Sequence, residues 1–175
     1  MRQQPYHHGD LRRALLTEAV TVIGESGPHA VSLRDLARRT GVSHAAPQHH
    51  FGDKAGLLTA IAAEGFELLA RSLESAGDDL LDAGVAYVRF ATSHKAHFEV
   101  MFTPALYHAD SPEVAAPRER AGEALAARAP KRREARLAAW SIVHGFATLW
   151  LSGALTDIGD DPAAAARPVI RLLLR

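Results

Sequence analysis

An all-α fold follows from three observations. Apolar residues recur at helical spacing along the chain, and no segment beyond residue 52 alternates as a strand does. Residues that open or close helices stand between the periodic stretches: Ser32, Gly41, Ser43, Asp53, the Gly77-Asp78-Asp79 run and Pro162. Alanine is enriched without any internal repeat or low-complexity tract, which suits closely packed helices.

Taken in order, residues 11–24 form an apolar-periodic first helix. Ser32, with Asp35 three residues on, has the form of a capping box and opens the second. There Leu33, Leu36 and Ala37 share one face and leave Arg34, Arg38 and Arg39 on the others. Thr40-Gly41 ends it, since glycine tolerates the left-handed backbone of a sharp helix end. Val42 is an apolar plug and Ser43 an N-cap for a third helix that is short, polar and poor in core residues. Pro47 would oppose the carbonyl of Ser43 in a regular helix, so the third helix is expected to begin late or with an irregular first turn.

Asp53 caps a fourth helix running through Leu57, Leu58, Ile61, Phe66, Leu69 and Leu73. After the Gly77-Asp78-Asp79 break comes a helix through Leu80, Leu81, Val85, Val88 and Phe90 towards His94. Residues 97–102 form a short apolar helix ended by Thr103-Pro104. Residues 105–117, rich in proline, are expected to form a loop. A polar helix follows over 118–129 and stops at Pro130. Lys131, Arg132 and Arg133 precede the most apolar helix, 135–155, and 163–175 is the last.

Bulk properties narrow the functional classes. The chain of 175 residues is 47% hydrophobic, enough for one large domain or two small ones. No stretch reaches the roughly 18 apolar residues of a membrane span, and no secretory leader is visible. Cysteine is absent, which excludes disulfides, thiolate zinc sites and a cysteine nucleophile. A cytoplasmic protein is expected. The net charge of zero conceals an asymmetry: residues 1–60 hold seven Arg and Lys against five Asp and Glu, and the remainder thirteen against fifteen. Six of ten histidines also fall in the first fifty residues, where protonation near phosphate would add positive charge.

The second and third helices, joined by a tight turn, make a pair of the kind whose second member enters a DNA major groove. Gly41-Val42-Ser43, His50-Phe51, Asp53-Lys54 and Leu57-Leu58 resemble, as a spaced pattern over residues 11–61, the N-terminal DNA-binding domain of the TetR/AcrR family of bacterial regulators. Two positions depart from that pattern. Pro47 and Gln48 stand where the family commonly has an aliphatic residue followed by Tyr, which alters contacts while Gln48 can still donate to a phosphate or base edge.

A second, looser resemblance covers about residues 80–155. Ala139-Trp140-x-x-x-His144-Gly145, with Tyr87-Val-Arg-Phe90 and His97-Phe-x-x-Met-Phe102, is similar to the C-terminal domain of one TetR subgroup. It implies a helical domain that dimerises through its last two long helices and encloses a small-molecule pocket. The two resemblances together imply a DNA-binding domain over 1–58 and a regulatory and dimerisation domain over 59–175. The function implied is a homodimeric repressor of a near-palindromic operator, released by a ligand.

The site residues follow. Ser32 and Lys54 sit at helix N-termini, which favour phosphate, and Arg34 and Gln48 join them. His44, Ala45 and His49 are the base-reading candidates, with Ser43 and His50 beside them. Arg12 and Arg13, behind the Tyr6-His7-His8 lead-in, read as an arm on the DNA backbone, although a frayed terminus explains that segment nearly as well. The effector pocket is expected among Tyr87, Phe90, Phe98, Met101, Phe102, Trp140 and His144, with an apolar, neutral or weakly polar occupant. A Trp140 packed on a hydrogen-bonded core His144 explains that pair equally well. The interface is expected at Leu151, Leu155, Val169, Ile170, Leu172 and Leu173, on helices with more apolar surface than one protomer hides.

Neither a metal nor a cofactor is expected. Adjacent histidines such as His49 and His50 point apart on a helix and do not chelate. A helical enzyme using His94, His97 or His144 with Glu99 is the rival reading, but no Ser/His/Asp spacing, phosphate loop or chelating set accompanies them. A partner-binding module whose helix-turn-helix has lost DNA affinity through Pro47 is the other.

Overall fold

The structure, a computed structural model, describes residues 8–172. Among them there are helices and turns and no strand. In chain order the helices are α1 (His8–Ser26), α2 (Leu33–Thr40), α3 (Ala45–Phe51), α4 (Lys54–Glu74), α5 (Leu80–Ser93), α6 (Lys95–Met101), α7 (Pro112–Ala126), α8 (Arg133–Leu151) and α9 (Pro162–Arg171). Tyr6, His7 and Leu173 lie outside the described residues.

Two compact units divide the chain. The first comprises the chain as far as Glu64 together with Ala96–Ala115. Its core collects Leu15, Ala19 and Ile23 of α1, Leu36 and Ala37 of α2, and Leu57, Leu58 and Ile61 of α4, all almost wholly buried. Each of the larger side chains among them contributes about 1.5–3 kcal/mol by leaving water. The second unit comprises Gly65–Lys95 and the chain from Ala116. There α5 packs on both α8 and α9, and α8 on α9. Gly84 lets them approach: a Cβ there would lie 3.1 Å from Ile170 Cδ1 and 3.2 Å from Val143 Cγ1.

Caps explain several boundaries. Asp79 accepts from the Asp82 amide at the start of α5, and Asp161 from the Ala163 amide, with Pro162 in the first turn of α9. The amides of Gly153 and Ala154 donate to the carbonyls of Trp150 and Leu149, a Schellman closure with Gly153 at φ 72°. That closure ends α8 at Leu151, so Leu155, expected inside the helix, lies beyond it.

The segment 105–117 also differs from expectation. It is not a loop throughout, because α7 begins at Pro112. Ser111 accepts from the Glu113 amide, and proline is at home at a helix start, where its missing N–H is no loss. Pro117 lies inside α7; it removes one backbone bond without ending the helix.

Candidate nucleic-acid interface

In the first unit α1, α2 and α3 pack on one another, so the short α3 is held by neighbours. Ser32 is the N-cap residue of α2 with extended backbone, but no side-chain cap bond forms. The expected capping box fails because Asp35 turns to Arg38 and Arg39, bonding both guanidinium groups. Bonds from those two arginines hold the Asp35 carboxyl below the usual carboxylate range. Arg39 also reaches Glu18 of α1 at 3.1 Å, tying α2 to α1. Arg34, exposed, has no carboxylate partner among the described residues.

Gly41 turns the chain with φ 69° and ψ 26°, and its amide caps the carbonyls of α2. The next helix does not start on Ser43. His44 occupies the cap position in helical backbone without a side-chain cap bond, and α3 starts at Ala45. Pro47 is thereby the third helical residue, one of the first-turn positions whose N–H has no intrahelical partner. It is also the buried residue of α3. Ser43, His44, Ala45, Gln48 and His49 are exposed, and His50 is half-buried with its ring 5.6 Å from that of His49.

The α3–α4 turn is tightly closed at Gly56. Asp53 accepts the Gly56 amide at 2.7 Å, and a Cβ on Gly56 would lie 2.0 Å from the Phe51 carbonyl oxygen. No side chain fits there. This requirement is not visible in spacing alone, because Gly56 sits inside the first turn of a helix. Lys54 donates to the His29 carbonyl at 2.8 Å, bracing the turn before α2. Arg12 pairs with Glu113 at 3.0 Å and lies 5.4 Å from the Phe51 ring centroid, while Arg13 is exposed.

In the second unit the Tyr87 hydroxyl lies 2.9 Å from His144 Nδ1 and accepts from Trp140 Nε1 at 3.3 Å. Burial pushes the Tyr87 phenol well above its ordinary range, and burial lowers the His144 imidazole. Tyr87 therefore stays protonated. Phe90 is buried and stacked with His94. Phe98, Met101 and Phe102 belong to the first unit, where Phe98 and Phe102 lie 5.0 Å apart. A cavity of about 250 Å³ opens elsewhere in the second unit, among Leu80, Leu125, Leu137, Trp140, Val143 and Ile170, with Gly122 and Arg136 also on its wall. Of the expected pocket residues, Trp140 lines it. A sequence sign of it is the run of small residues Gly122, Ala126 and Ala129 at helical spacing.

Ile170 is 1% exposed and faces Gly84, so it does not face outward as an interface residue does. Leu137, Leu149, Val169 and Leu172 are exposed at 54%, 47%, 37% and 64%. Leu151 and Leu155 are half-buried. Among the described residues no group of three or more His, Asp or Glu is placed to hold a metal ion, and no helix is long and apolar enough to cross a membrane.

Residues 15–61 match the bacterial regulatory proteins of the tetR family, and residues 80–173 match the tetracyclin repressor-like C-terminal domain. The regulator BetI of Rhizobium meliloti, described as an HTH-type transcriptional regulator, is 47% identical over 49 residues, 28% of this chain and 24% of that protein. The chain thus spans about a quarter to a third of the length of the curated relatives it matches. A solved protein of unknown function from Rhodococcus sp. RHA1 is 32% identical, with 98% of this chain and 97% of that one covered at a TM-score of 0.74. The TetR family transcriptional regulator PfmR of Thermus thermophilus is 25% identical, covering 92% and 97% at 0.67.

Proposed function

The chain belongs to the TetR family of bacterial regulatory proteins, and from that premise we propose that it is a dimeric repressor released from operator DNA by a small molecule, and not an enzyme. Within the family it is assigned to the subgroup carrying Trp140-x-x-x-His144-Gly145. The functional division runs at 58/59, with DNA binding before it and regulation after. Its place of action is the cytoplasm.

The observation that carries this reading is α3, which buries Pro47 and turns His44, Ala45, Gln48 and His49 to solvent. A helix that contributes so little to a core has its exposed polar face free for a groove. In the dimer two copies of α3 enter successive major grooves about 34 Å apart. His44, Ala45 and His49 read base edges; Ser32, Arg34, Ser43, Gln48, His50 and Arg13 take phosphates and position the helix. Lys54 uses one of its three donors on His29 and keeps two for phosphate. Arg12, paired to Glu113, acts as a brace.

Dimerisation proceeds through α8, α9 and the C-cap residue of α9, where the exposed Leu149, Val169 and Leu172 supply a self-complementary apolar face. The effector is a mostly apolar molecule held in the second unit near Trp140, Tyr87 and His144. A gel shift with fragments of the source genome tests the reading. Retention of one or a few fragments, weakened about uniformly by Arg34→Ala, is the expected result. No retained fragment at micromolar protein and low salt would leave the partner-binding module as the better account.

A further inference from the structure

The cavity of the second unit has a specific chemistry. Among the described residues its wall is apolar apart from Arg136, the charged residue that lines it. Arg136 holds the Lys131 carbonyl at 3.0 Å and enters no ion pair among the described residues. A guanidinium carries five N–H donors in a planar fork that matches a carboxylate. One donor is occupied here, which leaves the rest of the fork for a ligand.

The surroundings also favour an anion. Lys131, Arg132, Arg133 and Arg136 crowd the start of α8, with Glu134 as the acid among them. Cations at a helix N-terminus oppose its dipole, and Arg132, the cap residue, supplies no side-chain bond to the first amides. A negative ligand group at Arg136 relieves that repulsion; a neutral one does not.

Size sets the rest of the molecule. A cavity of about 150 Å³ is enough for benzene, while drug-sized ligands occupy about 300 Å³ and more. At about 250 Å³ this one lies between. Gly122 widens it: a Cβ there would meet nothing within 4 Å.

We propose that this cavity takes a small amphipathic monocarboxylate of about ten non-hydrogen atoms, its ring or chain against Trp140 and its carboxylate on Arg136. The proposal rests on the second unit being the effector-responsive one, and it replaces a neutral occupant with an anionic one.

Calorimetric titration of the full chain without DNA reads the site directly. The probes are phenylacetate, 2-phenylethanol and 2-phenylethylamine. Phenylacetate should bind at least tenfold more tightly than the alcohol, and the amine should bind weakest. Arg136→Gln should remove the preference for the acid while leaving binding of the alcohol within about twofold. Gly122→Leu, which fills the cavity, should abolish binding of both. Arg136 is exposed, so its variant keeps the test alive even where Gly122→Leu does not fold.

Equal binding of acid and alcohol, an acid preference that survives in Arg136→Gln, or no heat from any probe at millimolar concentration would each overturn the proposal. Because the titration contains no DNA, a chain that binds phenylacetate but retains no genomic fragment would refute the regulator reading and leave this one standing.

Discussion

Helices α3 and α8 both present faces that folding of one protomer does not use, and the chemistry of the two faces is opposite. In α3 the unused face is polar, with His44 at its cap followed by Gln48 and His49. On α8, α9 and the residue that follows α9 it is apolar, with Leu149, Val169 and Leu172 exposed. Burial drives folding, so an exposed leucine is a cost that a partner surface removes, whereas exposed hydrogen-bonding side chains are satisfied by water until a groove replaces it. One face suits nucleic acid and the other suits a second copy of the chain.

The two sides of α9 give the largest contrast. Ile170→Ala should cost about 2–5 kcal/mol of stability, because a buried side chain against Gly84 and α5 leaves a cavity. Leu172→Glu, two residues on, should leave subunit stability within about 0.5 kcal/mol yet yield monomers in sedimentation and weak half-site binding. Equal destabilisation by both would show that Leu172 belongs to the core and would erase the distinction.

Next in size is the α3–α4 turn. Gly56→Ala forces a methyl group onto the Phe51 carbonyl and should cost about 1–3 kcal/mol, with α3 displaced and DNA affinity lost. Gly122→Ala, where space is open inside a helix, should raise thermal stability by up to about 1 kcal/mol and leave DNA affinity unchanged. A harmless Gly56→Ala would mean that α3 is not held by this turn.

Smaller effects separate positioning from reading within the first unit. His49→Ala should relax preference at one operator position by about 1–3 kcal/mol without loss of stability. Arg34→Ala should weaken every sequence alike and make the salt dependence of binding shallower by about one unit of slope. An exchange of those two behaviours would invert the proposed roles.

The smallest effect concerns His144. Burial lowers its folded-state pKa below that of the unfolded chain, so the unfolded state takes up the proton first. Its contribution to stability is present above about pH 6.5 and lost as pH falls through the lower folded value. His144→Gln should flatten that part of the profile in thermal unfolding at pH 5–7. An unchanged profile would assign the acid sensitivity to other groups.

The first unit is more legible in sequence than the second for a physical reason. Gly41 and Asp53 act through backbone turns within a few residues, and such turns are written locally. Even there, spacing misleads at Ser43 and at the Ser32–Asp35 box, because Asp35 has two arginines one turn away to choose from. Spacing also marks Lys54 as a phosphate ligand and hides its bond to His29, 25 residues distant.

In the second unit the departures are tertiary. Ile170 is as hydrophobic as Leu172, and only packing against Gly84 decides which of them is inside. Proline at 112 and 117 suggests a loop, although one begins a helix and the other merely interrupts its bonding. The Arg136 cavity exists because Gly122 and its small neighbours lie against residues of α5, α8 and α9; their spacing marks a small-residue face, but not the partners that close it.

Affinity selection from a random duplex library with the wild-type chain tests the central claim most directly. The account predicts enrichment of a near-palindrome whose half-sites are centred about 10 base pairs, or a multiple of that, apart. It also predicts that His49→Ala enriches the same spacing with one position relaxed in each half-site. Sequences no more enriched than the input, or a selected site without two-fold symmetry, would contradict it.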